Sequence, residues 1–309
     1  MFEALLAVVA EVAVIIILIA VGYVVVRTEL FSQKTLSEIT SFLLYVVTPC
    51  LIVSSFMSAE SGALDGLTLL LAAVLPAAAI GLCIAISYLF FKKEVPERRK
   101  VLRFALIFSN VGFMGVPLVE GIVGKEGVIY GSFFIVVFNV LCWTYGYTMM
   151  GGGKIRIKTL LLNPGVIGLV IGLPLYFLDL ELPELISSPV EMLAALNTPL
   201  AMMLVGGYIA KVKFKEFFSD MAVYKLSFLR LFVGPALYLA LVLAVRPNDT
   251  LLLSSVIQAA TPVAANTVLF AVQFKGDAEL ASKGVAVTTA LSVITIPLFT
   301  VFTQLLMQL

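Results

Sequence analysis

The sequence predicts an all-helical membrane protein whose ten spans form two inverted halves of five. Three observations carry that expectation. The composition is too apolar for water, ten runs reach membrane length, and helix breakers recur at matching places in both halves.

Of 309 residues, 61% are hydrophobic and 13% charged, with mean hydropathy +1.11. A soluble domain carries roughly a quarter charged residues. An ordinary soluble enzyme and a disordered chain are therefore excluded. The formal net charge of +1 offers no bulk field for nucleic acid. Histidine is absent, which removes imidazole metal sites, His-based triads and imidazole proton relays. Cys50, Cys83 and Cys142 lie in apolar runs without a CxxC pair and read as buried thiols. No metal or cofactor is expected. The spans hold no nucleophile–base pair, which argues against an enzyme.

A helix needs about 20 apolar residues to cross the hydrocarbon, and lipid admits only helices or closed barrels. The runs are residues 5–26, 37–57, 66–91, 102–121, 128–150, 163–178, 188–210, 221–245, 251–273 and 284–307. Each is too long for a barrel strand. The first has no basic residue before it, unlike a signal peptide, and holds Glu11 toward its outer end. The second contains Thr48-Pro49, and the third lacks a charge until Lys92. The fourth carries Ser109, Asn110, Gly112, Gly115 and Pro117 and ends on Glu120; the fifth holds Asn139. Gly151-Gly152-Gly153 opens a connector, 151–162, between a first repeat (1–150) and a second (163–309). The sixth span begins at Asn163-Pro164, and the seventh contains Thr198-Pro199. The eighth holds Arg230, about a turn and a half from Lys225, where it is expected to snorkel or brace a partner. The ninth contains Gln258, Thr261, Pro262, Asn266 and Thr267.

Every Lys or Arg except Lys125, Arg230 and Arg246 falls in or beside an odd-numbered loop. The even loops carry Glu60, Asp65, Asp179, Glu181 and Glu184 instead. By the positive-inside rule the odd loops are cytoplasmic and both termini face out. The breakers Pro49 and Pro199, and then Pro117 and Pro262, recur at a near-constant offset. An odd number of spans per half inverts the second half. Paired interruptions of this kind mark a transporter site near the midplane. Gly112 and Gly115 loosen the turns before Pro117, so the fourth span should unwind at its middle. Two such breaks can cross, leaving half-helix N-termini that suit an anion and carbonyl ends that suit a cation. Asn110 could contact a ligand or brace the broken backbone; Asn139 could do either through an interhelical bond. Thr261 and Asn266 lean structural, and Glu11 and Glu120 interfacial. No Asp or Glu falls at either break, which disfavours a cation exchanger.

Four stretches carry a resemblance. They are SNVGFMGVPL (109–118), VVFNVLCW (136–143), NPGVIGLVIGL (163–173) and QAATPVAANTVLFAVQF (258–274). In this order they resemble motifs of the auxin efflux carriers, which include plant PIN-type carriers and prokaryotic organic-acid permeases. The resemblance implies a sodium/proton-antiporter-type fold, with a scaffold of helices 1, 2, 6 and 7 and a mobile core of helices 3–5 and 8–10. It implies an elevator-like homodimer in the cell membrane carrying carboxylate-bearing solutes. By motif match Asn110 contacts the carboxylate, Asn139 and Asn163 stand beside it, and Pro117 and Pro262 mark the crossing. Asn163 also reads as an N-cap before a first-turn proline. The family's long central loop and third-span acid–base pair are missing here. No aromatic auxin pocket is evident, so a short aliphatic mono- or dicarboxylate is expected. The rivals are a sodium or proton exchanger of the same fold, and a solute-binding membrane sensor. The coupling ion, proton or sodium, stays open.

Overall fold

The computed structural model describes residues 2–58, 66–151, 162–210 and 220–307. Among the described residues every regular element is helical. Helix α1 is Phe2–Arg27. Helix α2 (Gln33–Phe42) runs through a π-turn, Leu43–Val47, into α3 (Thr48–Met57). Helix α4 is Gly66–Leu89 and α5 is Pro96–Ile107. A π-turn, Val111–Gly115, opens α6 (Val116–Val123). Helix α7 (Lys125–Leu141) continues through Cys142–Gly146 into α8 (Tyr147–Met150). Then follow α9 (Pro164–Phe177), α10 (Glu184–Ala194) and α11 (Asn197–Ile209). Helix α12 (Met221–Phe228) joins α13 (Gly234–Val245) through Leu229–Val233. The chain ends in α14 (Asp249–Ala259), α15 (Asn266–Gln273) and α16 (Ala278–Met307).

Six described stretches are long and apolar enough to cross a membrane: Lys34–Met57, Gly66–Leu89, Lys125–Met150, Glu184–Gly207, Met221–Val245 and Ala278–Met307. Ile16–Arg27, Val111–Val123 and Pro164–Phe177 are shorter apolar helices.

The prolines act less uniformly than the sequence suggests. A proline lacks an amide, and its ring strikes the carbonyl four residues back. Widened π-turns directly precede Thr48-Pro49, Val116-Pro117 and Gly234-Pro235 and take up that clash without stopping the helix. At the first, the Thr48 hydroxyl donates to the Leu43 carbonyl at 2.9 Å. Pro49, expected as a break, therefore sits inside a continuous helix. Just ahead of Thr198-Pro199 the helix does part, at residues 195 and 196, between the end of α10 at Ala194 and the start of α11 at Asn197.

Glycine surfaces let two helix pairs close. Helix α1 lies on α11, where a Cβ on Gly22 would strike the Met203 carbonyl and one on Gly206 the Ile19 carbonyl. Helix α9 lies on α3, with Gly168 over Pro49 and Ile52 and Gly172 over Phe56. Small residues at such crossings let backbones approach where lipid gives no hydrophobic drive.

The third, fifth, seventh and ninth loops meet at one end of the molecule. Arg98 binds Glu94 at 3.1 Å, Asp220 at 2.6 Å and Asp277 at 3.3 Å. Lys100 donates to the Phe274 carbonyl at 2.9 Å and to that of Met150 at 3.3 Å. Even loops meet one another elsewhere, with Lys125 donating to Ser58 at 2.9 Å. The acidic Glu60 and Asp65, the basic 154–158 and 211–215 segments, Gly152, Gly153 and the Glu11 side chain lie outside the described residues and side chains.

Candidate functional site

Two interrupted segments cross. Helix α5 stops at Ile107 and α6 starts after the π-turn at Val111; α14 stops at Ala259 and α15 starts at Asn266. Between these ends Ser109 and Val263 form an isolated antiparallel bridge. The Asn110 amide donates to the Pro262 carbonyl at 2.8 Å, and the Ala264 amide to that of Phe108 at 3.0 Å. Here the structure corrects the expected place of the first break. The unwound residues are 108–110, ahead of Gly112, Gly115 and Pro117, which all lie in the resumed helix. Pro117 lies in the second turn of the resumed helix, just after that π-turn, which takes up its clash. Pro262 lies within the second break itself.

Buried backbone polar groups must be paired, and the crossing pairs them with side chains from several helices. The Val263 amide donates to the Thr288 hydroxyl at 3.2 Å. On the carbonyl side stands Arg230, 2% exposed. Its Nε donates to the Thr261 carbonyl at 3.1 Å and its Nη1 to that of Leu106 at 3.0 Å, while its Nη2 donates to the Ala259 carbonyl. Nη1 also reaches the Cys83 sulfur at 3.5 Å. Arg230 therefore does not snorkel. It closes the C-terminal ends of α5 and α14 at once, and the distance from Lys225 along one helix gave no signal for that.

A cavity of about 850 Å³ opens on the other side of the crossing. Three helix starts border it, those at Val111, Asn266 and Asn163-Pro164, and first-turn amides have no intrahelical acceptor. Ser109, Asn110, Asn139, Asn163 and Asn266, all expected at the site, line it, as does Thr48. Among the described residues its lining includes no Asp, Glu, Lys or Arg. Among the described residues the Asn110 carboxamide has no hydrogen-bond partner, and it makes no cap to its own helix. Asn139 donates to the Ile135 carbonyl at 2.8 Å and accepts from Asn163 at 3.0 Å. Asn163 Oδ1 accepts the Gly165 amide at 2.9 Å, so it caps α9 while also facing the cavity. Thr261 lies apart. It is fully buried, donates to the Gln258 carbonyl at 2.7 Å and is absent from the cavity wall.

Tyr45, Phe113, Phe138 and Trp143 also line the cavity, an aromatic wall that sequence spacing did not bring together. Phe104 and Phe270 (centroids 4.9 Å apart) and Trp143 and Phe270 (5.0 Å) tie the half-helices behind that wall. Gly115 admits the fully buried Gln258, since a Cβ there would strike the Gln258 amide oxygen. Glu120, expected at the interface, instead accepts hydrogen bonds from Thr198 at 2.6 Å and Asn197 at 3.3 Å. It thereby joins α6 to the break between α10 and α11.

A helical chain with two crossed interruptions beside a largely apolar cavity that carries a few carboxamides has the build of a solute carrier. The profile of the family described as membrane transport protein matches residues 7–159 and 152–300, and the chain belongs to that auxin efflux carrier-like family. An uncharacterised transporter of Methanothermobacter thermautotrophicus is 24% identical, over 93% of this chain and 95% of its own. One of Methanocaldococcus jannaschii is 23% identical, over 93% and 96%. A Rhizobium meliloti protein named "Putative malonate transporter" is 23% identical, over 90% of each chain.

Proposed function

We propose that this protein is a secondary carrier of small organic carboxylates in the cell membrane. One observation carries the reading: the cavity at the crossing presents carboxamides, hydroxyls and helix starts, with no acidic side chain among the described residues. A carboxylate there accepts N–H bonds from Asn110 and first-turn amides, helped by the positive helix ends. Asn163 and Asn266 flank it, and Asn139 holds Asn163 in place. Tyr45, Phe113, Phe138 and Trp143 take the apolar body of the solute, which extends the range from short aliphatic acids to aromatic ones. The malonate-named relative supports a carboxylate substrate.

The architecture we infer is ten spans in two inverted halves, with both termini outside. The reciprocal pairings α1 on α11 and α3 on α9, and the gathering of the third, fifth, seventh and ninth loops at one end, support it. Transport proceeds by alternating access, a core bearing the crossing moving against a scaffold of the first, second, sixth and seventh spans, within a homodimer. A membrane potential contributes about 2.3 kcal/mol per charge per 100 mV to anion export.

Purified protein in liposomes should take up labelled malonate or phenylacetate, and Asn110→Ala should reduce uptake at least tenfold while remaining folded. Undiminished uptake by that variant would remove the site. Sodium or proton exchange without any carboxylate flux would remove the substrate class.

A further inference from the structure

Arg230 is a full positive charge in the interior of an apolar protein, and its described partners include no carboxylate. An arginine side chain stays protonated in proteins, and an isolated buried charge is costly unless paired. Its partners are the carbonyl ends of two helices, and each end carries about half a negative charge. The C-termini of α5 and α14 together therefore match one guanidinium. Ser109 belongs both to the wall of the large cavity and to a small chamber that holds Arg230, Cys83 and Tyr238.

We propose that Arg230 sets the charge preference of the cavity by cancelling the two carbonyl ends that meet at the crossing. With those ends neutralised, the helix starts at Val111 and Asn266 are the uncompensated poles, and the cavity is positive. Without that charge, the carbonyl ends offset the helix starts, and the preference for an anion is lost. Arg230 is a positioning residue that touches no solute. The inference rests on reading the cavity as an anion site.

The test measures potential directly and needs no substrate. Ala265, exposed and in the cavity wall, becomes the reporter as Ala265→Cys in a Cys50→Ala background. Its rate of modification is compared for sulfonatoethyl and trimethylammonioethyl methanethiosulfonate, each corrected for its rate with free thiol. The negative reagent should win at least tenfold. Cys83→Asp places a carboxylate beside the guanidinium, cancels its charge and leaves its carbonyl bonds in place. That variant should cut the ratio at least tenfold, and Cys83→Asn should not. Arg230→Gln should act like Cys83→Asp; if it fails to fold, the Cys83 pair still decides. An arginine that is only a backbone brace predicts equal ratios in Cys83→Asp and Cys83→Asn, and that result overturns the proposal, as does a parent ratio near that of free thiol. The expected ratios in a protein that moves no carboxylate would support the charge role and sink the substrate class alone.

Discussion

Asn110 stands at the start of the π-turn that opens α6, with a carboxamide that no described residue uses. Asn110→Asp keeps its size but puts a negative charge where the carboxylate would sit. Uptake should fall at least tenfold, with the melting temperature near that of the parent; unchanged uptake would show that the solute binds elsewhere. Gly115 makes a different prediction. Gly115→Ala drives a methyl into the Gln258 amide, an overpacking that costs about 1–3 kcal/mol. Its melting temperature should drop, and an unchanged one would mean that Gln258 has room to turn away. At this scale the sequence was informative where chemistry is local. Ser109, Asn110, Asn139, Asn163 and Asn266 are polar residues in or beside interrupted apolar runs, and all five line the cavity. Arg230 was not legible in the same way. Its partners come from α5 and the end of α14, more than a hundred and about thirty residues away. No single-helix argument sees them.

Helix α9 shows how one side chain serves an element and a site together. Asn163 caps the helix through Oδ1 and binds Asn139 through Nδ2. The two roles can be separated. Aspartate is also a good N-cap, so Asn163→Asp should keep the helix intact, lose the bond to Asn139 and bring a negative charge to the cavity. Asn163→Ala should cost about 1 kcal/mol through the lost cap. Chemical denaturation would rank the two, and uptake should fail in the aspartate variant although it is the more stable. Equal stability would mean that the cap contributes nothing. The exact position of the first interruption was not legible at this scale. A widened turn lets a proline sit inside a running helix, so its position alone does not fix the gap. Pro262 marks the second gap itself. Pro117 and Pro49 mark none, because each follows a widened turn that absorbs it.

The whole molecule is tied at one end by Arg98, whose three acidic partners come from three separate loop regions. Burial pushes the Asp220 carboxyl up, but the hydrogen bonds from Arg98 and the Ala222 amide, with the charges of Arg98 and Lys283, outweigh it. The net result holds Asp220 below the usual aspartate range. A depressed folded-state pKa gives stability that is present above the unfolded value, roughly 4, and lost as pH falls through the folded one. The melting temperature should therefore fall on acidification from about pH 5 to 3, and less steeply in Asp220→Asn. Parallel curves for the two proteins would show that the hub does not hold the loops together. That loops 3, 7 and 9 share one end was legible from the alternation of charge between loops, which records the whole topology rather than any one contact.

The bridge between Ser109 and Val263 also constrains how this protein can work. Its flanking amide bonds and the carbonyls held by Arg230 run among buried residues such as Phe108, Val263 and Arg230 itself. Pulling the two segments apart would leave buried donors and acceptors unpaired, at about 1–3 kcal/mol for each orphaned group. The knot should then travel whole, like a rivet through two plates. In the alternating access proposed above, sliding would run around it, along surfaces such as the seam where Glu120 rests on Asn197 and Thr198.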